Sequence, residues 1–307
     1  MHGSMTRRRF LQGMGIAATM PLVTPARGAE RSERSPIRKP IPSSGELLPV
    51  IGLGTSRTFT APRGPERAAL AGVLQSFFDH GGTVIDSSPM YGPAEEIVGE
   101  LLAATRHGSV FAATKVWTDG ARAGVEQMER SRQLWGVPRF DLMQIHNLRD
   151  WQVHLATLKE WKAQGKVRYV GITTSHGRMH DELERALRRE PFDFVQLSYN
   201  LEDREAERRL LPLAAERGIA VLVNRPFQLG GLFGKVKGRA LPAWAAELGI
   251  ASWAQLFLKF AISHPAVTCA IPATSKLKHL EDNMAAGFGR LPDPQERQRM
   301  IRSVEEA

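Results

Sequence analysis

Eight times along this chain a short β-branched or apolar run is followed by a stretch whose apolar residues recur at helical spacing. That alternation is what most restricts the fold. The strand-like runs are residues 48–55, 83–85, 110–116, 141–146, 167–173, 192–199, 219–224 and 267–272. Between them the spacing predicts helices near 66–80, 95–104, 121–135, 154–164, 179–188, 205–217, 251–263 and 279–286, followed by a polar tail. The first of these helices puts Leu70, Val73, Leu74, Phe77 and Phe78 on one face and stops at Gly81-Gly82, a helix-ending pair. Strict strand–helix order implies a parallel sheet with crossover helices. Eight such units in roughly 260 residues fit an α/β single domain, a closed (β/α)8 TIM barrel, whose usual size is ~250 residues. A doubly wound open sheet would favour a glycine-rich phosphate loop opening a helix after the first strand. The run Gly52-Leu53-Gly54-Thr55-Ser56-Arg57 lacks the third glycine and leads into no strong helix, so that architecture is discounted.

The charge of the chain lies mostly at one end. Eight of the 41 Lys and Arg residues fall within residues 1–39, against Glu30 and Glu33, which leaves 33 basic and 30 acidic side chains in the rest. A nearly balanced body with no basic stripe interleaved with aromatics argues against nucleic-acid binding. The N-terminal stretch Thr6-Arg7-Arg8-Arg9-Phe10-Leu11, the mild apolar run 14–23 and the small residues Ala26, Gly28 and Ala29 follow the order of a secretory signal. They resemble a twin-arginine export signal. The apolar run is too short for a stable membrane span. The expected organisation is therefore a signal over 1–29, a flexible lead-in over 30–44 and the barrel over 45–307. The export machinery is then a partner and the periplasm the destination, with the cytoplasm the alternative if the signal does not function. Cys269 is the single cysteine, which excludes an intrachain disulfide and a cysteine-based zinc site.

In a parallel barrel the residues at the C-terminal ends of the strands share one rim, the working face of the fold. Asp86 ends the second run and Tyr91 lies in its loop; Lys115 closes the third and His146 the fourth. Singly, each has an ordinary reading as a loop cap, a half-buried ring, a solvated lysine or a satisfied core histidine. Their conjunction on adjacent strands is much less expected by chance.

The segments Gly81-Gly82-Thr83-Val84-Ile85-Asp86, Tyr91-Gly92-Pro93-Ala94-Glu95, Thr114-Lys115-Val116 and Asp141-Leu142-Met143-Gln144-Ile145-His146 resemble the aldo-keto reductases. So do Phe194-Val195-Gln196-Leu197-Ser198-Tyr199-Asn200 and Ile271-Pro272-Ala273-Thr274-Ser275. The resemblance spans about residues 45 to 290. It implies the (β/α)8 barrel, NADPH-dependent reduction of aldehydes and ketones without a metal, and a catalytic tetrad of Asp86, Tyr91, Lys115 and His146. These residue types suit those roles. A tyrosine titrates near ~10, and a close Lys115 ammonium is expected to lower that value. Asp86 is expected to pair with Lys115, and His146 to orient the carbonyl oxygen.

The resemblance also assigns cofactor contacts. Gln196 matches the nicotinamide-amide contact, and Thr173-Thr174 stands where the family usually has Ser-Asn. Asn224-Arg225 replaces the stacking aromatic, with the Arg225 guanidinium plane in its stead. Thr274, Ser275, Lys276, His279 and Asn283 occupy the adenosine-phosphate region, where Ala273 replaces a common lysine. NADP(H) is favoured over NAD(H). Met90 and Trp117 are candidates for an apolar substrate pocket. Two function classes follow: a carbonyl reductase acting on a small molecule, or a cofactor-binding sensor or regulatory subunit with little turnover. No catalytic position of the family is substituted, which favours the enzyme. A carbohydrate-binding or structural barrel has no positive feature. Oligomeric state is not legible.

Overall fold

The computed structural model describes residues 35–61 and 63–306. The stretch read as an export signal lies outside them. Eight parallel strands run in the order β3 (Leu53–Gly54), β4 (Val84–Asp86), β5 (Phe111–Val116), β6 (Phe140–Ile145), β7 (Val167–Thr173), β8 (Phe194–Ser198), β9 (Ala220–Asn224) and β10 (Val267–Ala270), each beside the next. Bridges between Ile51 and Ala270 and between Gly54 and Ala273 join the last strand to the first. Gly52 N–H donates to Ala270 O (2.8 Å) and Gly54 N–H to Pro272 O (3.0 Å) across the same seam. The sheet is thus closed into the expected (β/α)8 barrel.

Helices α1 (Pro65–Asp79), α2 (Ala94–Ala104), α3 (Ala121–Trp135), α4 (Trp151–Ala163), α5 (His180–Arg189), α6 (Leu210–Glu216), α7 (Gly231–Lys235), α8 (Trp253–Ser263) and α9 (Leu277–Ala285) follow the strands. They pack their apolar faces on the outside of the sheet. Leu70, Val73, Leu74 and Phe77 of α1 are all buried there.

The inward face of the barrel follows the period of two that a strand imposes. Val84, Phe111, Ala113, Leu142, Tyr169, Phe194, Ala220, Leu222, Cys269 and Ile271 form one enclosed cluster with Ile41 and Leu48. Continued toward the C-terminal ends, the same phase gives Asp86, Lys115, Gln144, His146, Thr173, Gln196, Ser198 and Asn224. The barrel interior therefore changes from apolar to polar along each strand, and the polar layer is the rim.

Three expectations are corrected. The lead-in is not flexible over its described part. β1 (Arg38–Pro40) pairs antiparallel with β2 (Leu47–Pro49), and Ile41 and Leu48 plug the barrel interior. Lys39 Nζ donates to the carbonyls of Ile262 (2.7 Å), His264 (2.9 Å) and Val267 (2.7 Å), a cation placed at the C-terminal end of α8. The first strand is correspondingly split, with only Leu53–Gly54 in the barrel sheet. The polar tail is a helix, α10 (Pro294–Glu305), opened by a capping box between Asp293 and Glu296 and seated through Met300, Ile301 and Val304. Among the described residues no helix is long and apolar enough to cross a membrane.

Candidate active site

The polar layer is built around Asp86. Its Oδ2 pairs with Lys115 Nζ at 2.5 Å, and the lysine also donates to Ser87 O at 2.7 Å. Its Oδ1 accepts from Gln144 Nε2 and from Gln196 Nε2, each at 2.9 Å. Gln196 Nε2 also reaches Gln144 Oε1 at 3.0 Å, and Asn224 Nδ2 reaches Gln196 Oε1 at 3.3 Å. A buried ion pair is tolerable only when its remaining lone pairs and protons are satisfied, and here Ser87 O, Gln144 and Gln196 do so. Burial pulls the Lys115 ammonium down, but Asp86 and Tyr91 more than offset it and hold the lysine above its ordinary value.

Tyr91 is delivered by a short 3-10 turn, Pro89–Tyr91, capped by the Ser88 side chain. Lys115 Nζ lies 5.2 Å from the centre of the Tyr91 ring, and the His146 ring meets it edge-on at 5.7 Å. Burial pushes the Tyr91 phenol up, and this outweighs the opposing pull of Lys115. The sequence-based expectation of a lowered phenol is thus corrected. Desolvation of the phenolate exceeds the attraction of the Lys115 ammonium, and the Asp86 carboxylate adds to the upward push. Tyr91 is a phenol at neutral pH, as a proton donor must be, and Lys115 reduces the cost of the phenolate it leaves.

His146 is held at Nδ1 by Ser88 Oγ at 2.9 Å. Ser88 Oγ also accepts from Met90 N; in the tautomer in which its hydroxyl donates to Nδ1, Nε2–H is the ring's free donor. Burial, with a smaller push from Lys115, lowers His146 from 6.5 to about 2. The unfolded chain therefore takes up this proton first on acidification. Stability contributed by neutral His146 is complete above pH 6.5 and is lost as pH falls below it. Between pH 6.5 and 5 wild type is expected to lose about 2 kcal/mol more than His146→Gln in urea unfolding. The kcat/KM profile is expected to show no inflection near 6.5.

A cavity of about 430 Å³ opens over these groups, lined by Asp86, Met90, Tyr91, His146, Thr173, Thr174, Gln196, Asn224 and Arg225 among others. Asp86, Tyr91 and His146 of the tetrad, Met90 and five of the expected cofactor residues line it, while Lys115 is fully buried behind them on Asp86. Trp117 does not line the cavity. Its backbone N–H is held by Gln127 Oε1 at 2.6 Å, and the Arg149 guanidinium covers its ring at 5.0 Å, because the chain turns toward α3 once β5 ends at Val116. Thr274, Ser275, Lys276, His279 and Asn283 do not line it either; the cavity stops at Ile271 and Ala273 on that side. They sit at α9, whose N-terminus has no side-chain cap. Those open N–H groups, with Lys276 and Lys278 beside them, suit a phosphate.

A profile of the Aldo/keto reductase family matches residues 50–304. The chain belongs to the aldo/keto reductase family. It is accordingly an NAD(P)H-dependent oxidoreductase. Aldo-keto reductase str7 of Strobilurus tenacellus is 26% identical over 261 residues, covering 72% of this chain and 77% of that one. The NADH-specific methylglyoxal reductase of Escherichia coli is 27% identical over 197 residues, covering 54% and 58%. Among solved structures, a Klebsiella pneumoniae aldo-keto reductase in complex with NADPH superposes with TM-score 0.74 at 27% identity, covering 87% of this chain and 95% of that one. A Klebsiella pneumoniae aldo/keto reductase with NADP and acetate gives 0.72 at 28% identity, covering 85% and 93%.

This aldo/keto reductase also uses residues that sequence reasoning passed over. Ser88 holds the His146 ring at Nδ1. Gln144 holds Asp86, and Gly171 makes room for it: a Cβ there would come within 2.9 Å of Gln144 Cγ and 3.2 Å of Phe194 Cβ. The available signal was phase, since Gln144 lies two residues before His146 on one strand face. Gln144→Leu removes a donor from Asp86 and an acceptor from Gln196. It is expected to cost about 1–3 kcal/mol of stability in urea unfolding and to lower kcat with it.

Proposed function

We propose that this aldo/keto reductase reduces aldehyde or ketone carbonyls with NADP(H), Tyr91 being the general acid. The observation that carries the reading is the buried Asp86–Lys115 pair beneath Tyr91, with the neutral imidazole of His146 at the edge of the same ring. Carbonyl reduction needs a donor for the oxygen as charge develops on it. Tyr91 holds that proton, Lys115 stabilises the phenolate left behind, and Asp86 keeps Lys115 charged and in place. His146 Nε2–H is the donor that orients the oxygen.

A bound dihydronicotinamide supplies the hydride. The residues fit such a ring. Thr173 Oγ accepts from Asn147 N at 3.0 Å and keeps its own proton for a carboxamide. Gln196 Oε1 takes only the long bond from Asn224 and retains a lone pair. Arg225 presents a guanidinium plane at the cavity. The open N-terminus of α9 suits the phosphate end. The relatives solved with NADP or NADPH support NADP(H) over NAD(H), while the Escherichia coli relative is named NADH-specific. The test is steady-state oxidation of NADPH and NADH against a panel of aldehydes, ketones and quinones. NADPH is expected to support turnover with the higher kcat/KM. Tight NADPH binding with no turnover on the whole panel overturns the reading.

The proposal includes export. Arg7-Arg8-Arg9-Phe10-Leu11 and the apolar run after it support twin-arginine transport into the periplasm, with the protein folded and its dinucleotide already bound. A reporter active only outside the cytoplasm, fused after residue 45, is expected to be active and to fall silent when Arg7 and Arg8 become lysine. A fusion that stays in the cytoplasm removes the export claim.

A further inference from the structure

Three separate loops bring basic side chains to the mouth of the active-site cavity: Arg57 follows β3, Arg178 follows β7 together with His176, and Arg225 follows β9. β3 and β7 stand four strands apart in the ring of eight, so Arg57 and Arg178 approach from opposite sides of the rim. Arg57 (φ 63), His176 (φ 63) and Arg225 (φ 52) all hold left-handed backbone, which side chains other than glycine rarely adopt and which clusters at functional sites.

These charges are poorly balanced. Among the described residues none of Arg57, Arg178 and Arg225 has a carboxylate within ion-pair distance. Arg178 reaches only the Ser175 carbonyl and the His176 ring. Asp203 is the carboxylate beside this group, near Gly177, and its field reaches Arg225. Arg225 is held below its usual value by burial and then by Arg57 and Arg178, and His176 is lowered by burial, then by Arg225 and Arg178, and least by Arg57. Like charges gathered without partners at a concave site raise the local potential for an anion. The same cavity is lined by the apolar Met90, Phe227 and Leu229, of which Met90 and Leu229 are exposed, and by Tyr91 and His146.

We propose that Arg57 and Arg178 form an anion subsite at the cavity mouth, so that the physiological substrate carries a carboxylate or phosphate at the end remote from its carbonyl. This rests on the carbonyl-reductase reading of Tyr91 and His146. The layout asks for a polar carbonyl end, an apolar middle and an anionic tail. Arg225 is half-buried and its field reaches Tyr91, which places it with the nicotinamide pocket instead. The cofactor's own phosphates are the other source of the same chemistry, and the experiment separates the two.

The full chain is assayed with 4-carboxybenzaldehyde and its methyl ester, a pair matched in shape and different in charge. NADP⁺ affinity is measured separately by fluorescence. Wild type is expected to favour the acid by about tenfold or more in kcat/KM, the scale of one charge-assisted hydrogen bond. The preference is expected to appear in KM and to shrink in about 0.5 M salt. R57Q and R178Q are expected to bring the acid-to-ester ratio close to one, and R57K to keep most of it. Equal use of acid and ester by wild type overturns the proposal. So does a variant that weakens NADP⁺ binding by the factor by which it weakens use of the acid, since the arginines then serve the dinucleotide. If neither aldehyde is reduced, the reductase reading is judged on the wider carbonyl panel. Calorimetry on the NADP⁺-loaded protein still decides the subsite: benzoate binding about tenfold tighter than benzamide in wild type, with that preference lost in R57Q and R178Q, supports it, and equal binding or a preference unchanged in those variants overturns it.

Discussion

Changing Tyr91 to phenylalanine is expected to lower kcat for carbonyl reduction by ~10²–10⁴-fold, the range that a positioned general acid commonly supplies, while NADPH binds as before. The substitution keeps the ring that meets His146 edge-on at 5.7 Å and lies over Lys115. It removes only the hydroxyl. Packing, cavity shape and the Asp86–Lys115 pair remain, so the loss falls on the proton and not on the fold. Stopped-flow kinetics with the variant shown folded by circular dichroism checks it. A kcat within a few-fold of wild type would remove Tyr91 from the mechanism.

Lys115→Met has the second large effect, and it falls on stability as well as on rate. The lysine is fully buried and is held by Asp86 Oδ2 at 2.5 Å and Ser87 O at 2.7 Å. Without it Asp86 keeps two amide donors but no countercharge. Breaking a buried pair from one side commonly costs about 3–5 kcal/mol. Removing the cation that steadies the phenolate is expected to lower kcat by ~10²–10³-fold. The double variant with Asp86→Asn is expected to recover much of the stability and none of the rate, because it removes the orphaned charge and leaves the acid unsupported. Urea unfolding and single-turnover kinetics on the three variants give both numbers. A double variant less stable than Lys115→Met would contradict the assignment of that cost to the unpaired carboxylate.

What could be read from the residues follows the physics of each element. β7 was legible to the residue because Val167–Thr173 is buried throughout except at Arg168 and is bounded by a glycine turn. The hairpin of β1 and β2 was not. Its strands are three residues each and proline-containing, and what holds them is Ile41, Leu48 and Lys39 reaching parts of the barrel distant in sequence. α10 is polar over most of its surface and buries a narrow face, so its period was faint; the Asp293-Pro294 and Glu296 capping signal was present and unused. The tetrad was legible by resemblance, but the direction of the Tyr91 shift was not, because residue types name a neighbouring cation and do not give the depth of burial. Trp117 had the right strand phase and the wrong neighbour, since β5 ends one residue earlier. Arg57 and Arg178 look like ordinary loop arginines until barrel closure brings their loops to one mouth.

The most direct test of the account is a single turnover with NADPH deuterated at the transferring C4 position and an aldehyde substrate, followed by mass spectrometry of the product. The account predicts one alcohol per NADPH consumed, deuterium on the carbinol carbon and none on its oxygen, and the same outcome at a much lower rate in Tyr91→Phe. Cofactor that stays reduced and bound in the presence of every carbonyl offered would contradict it.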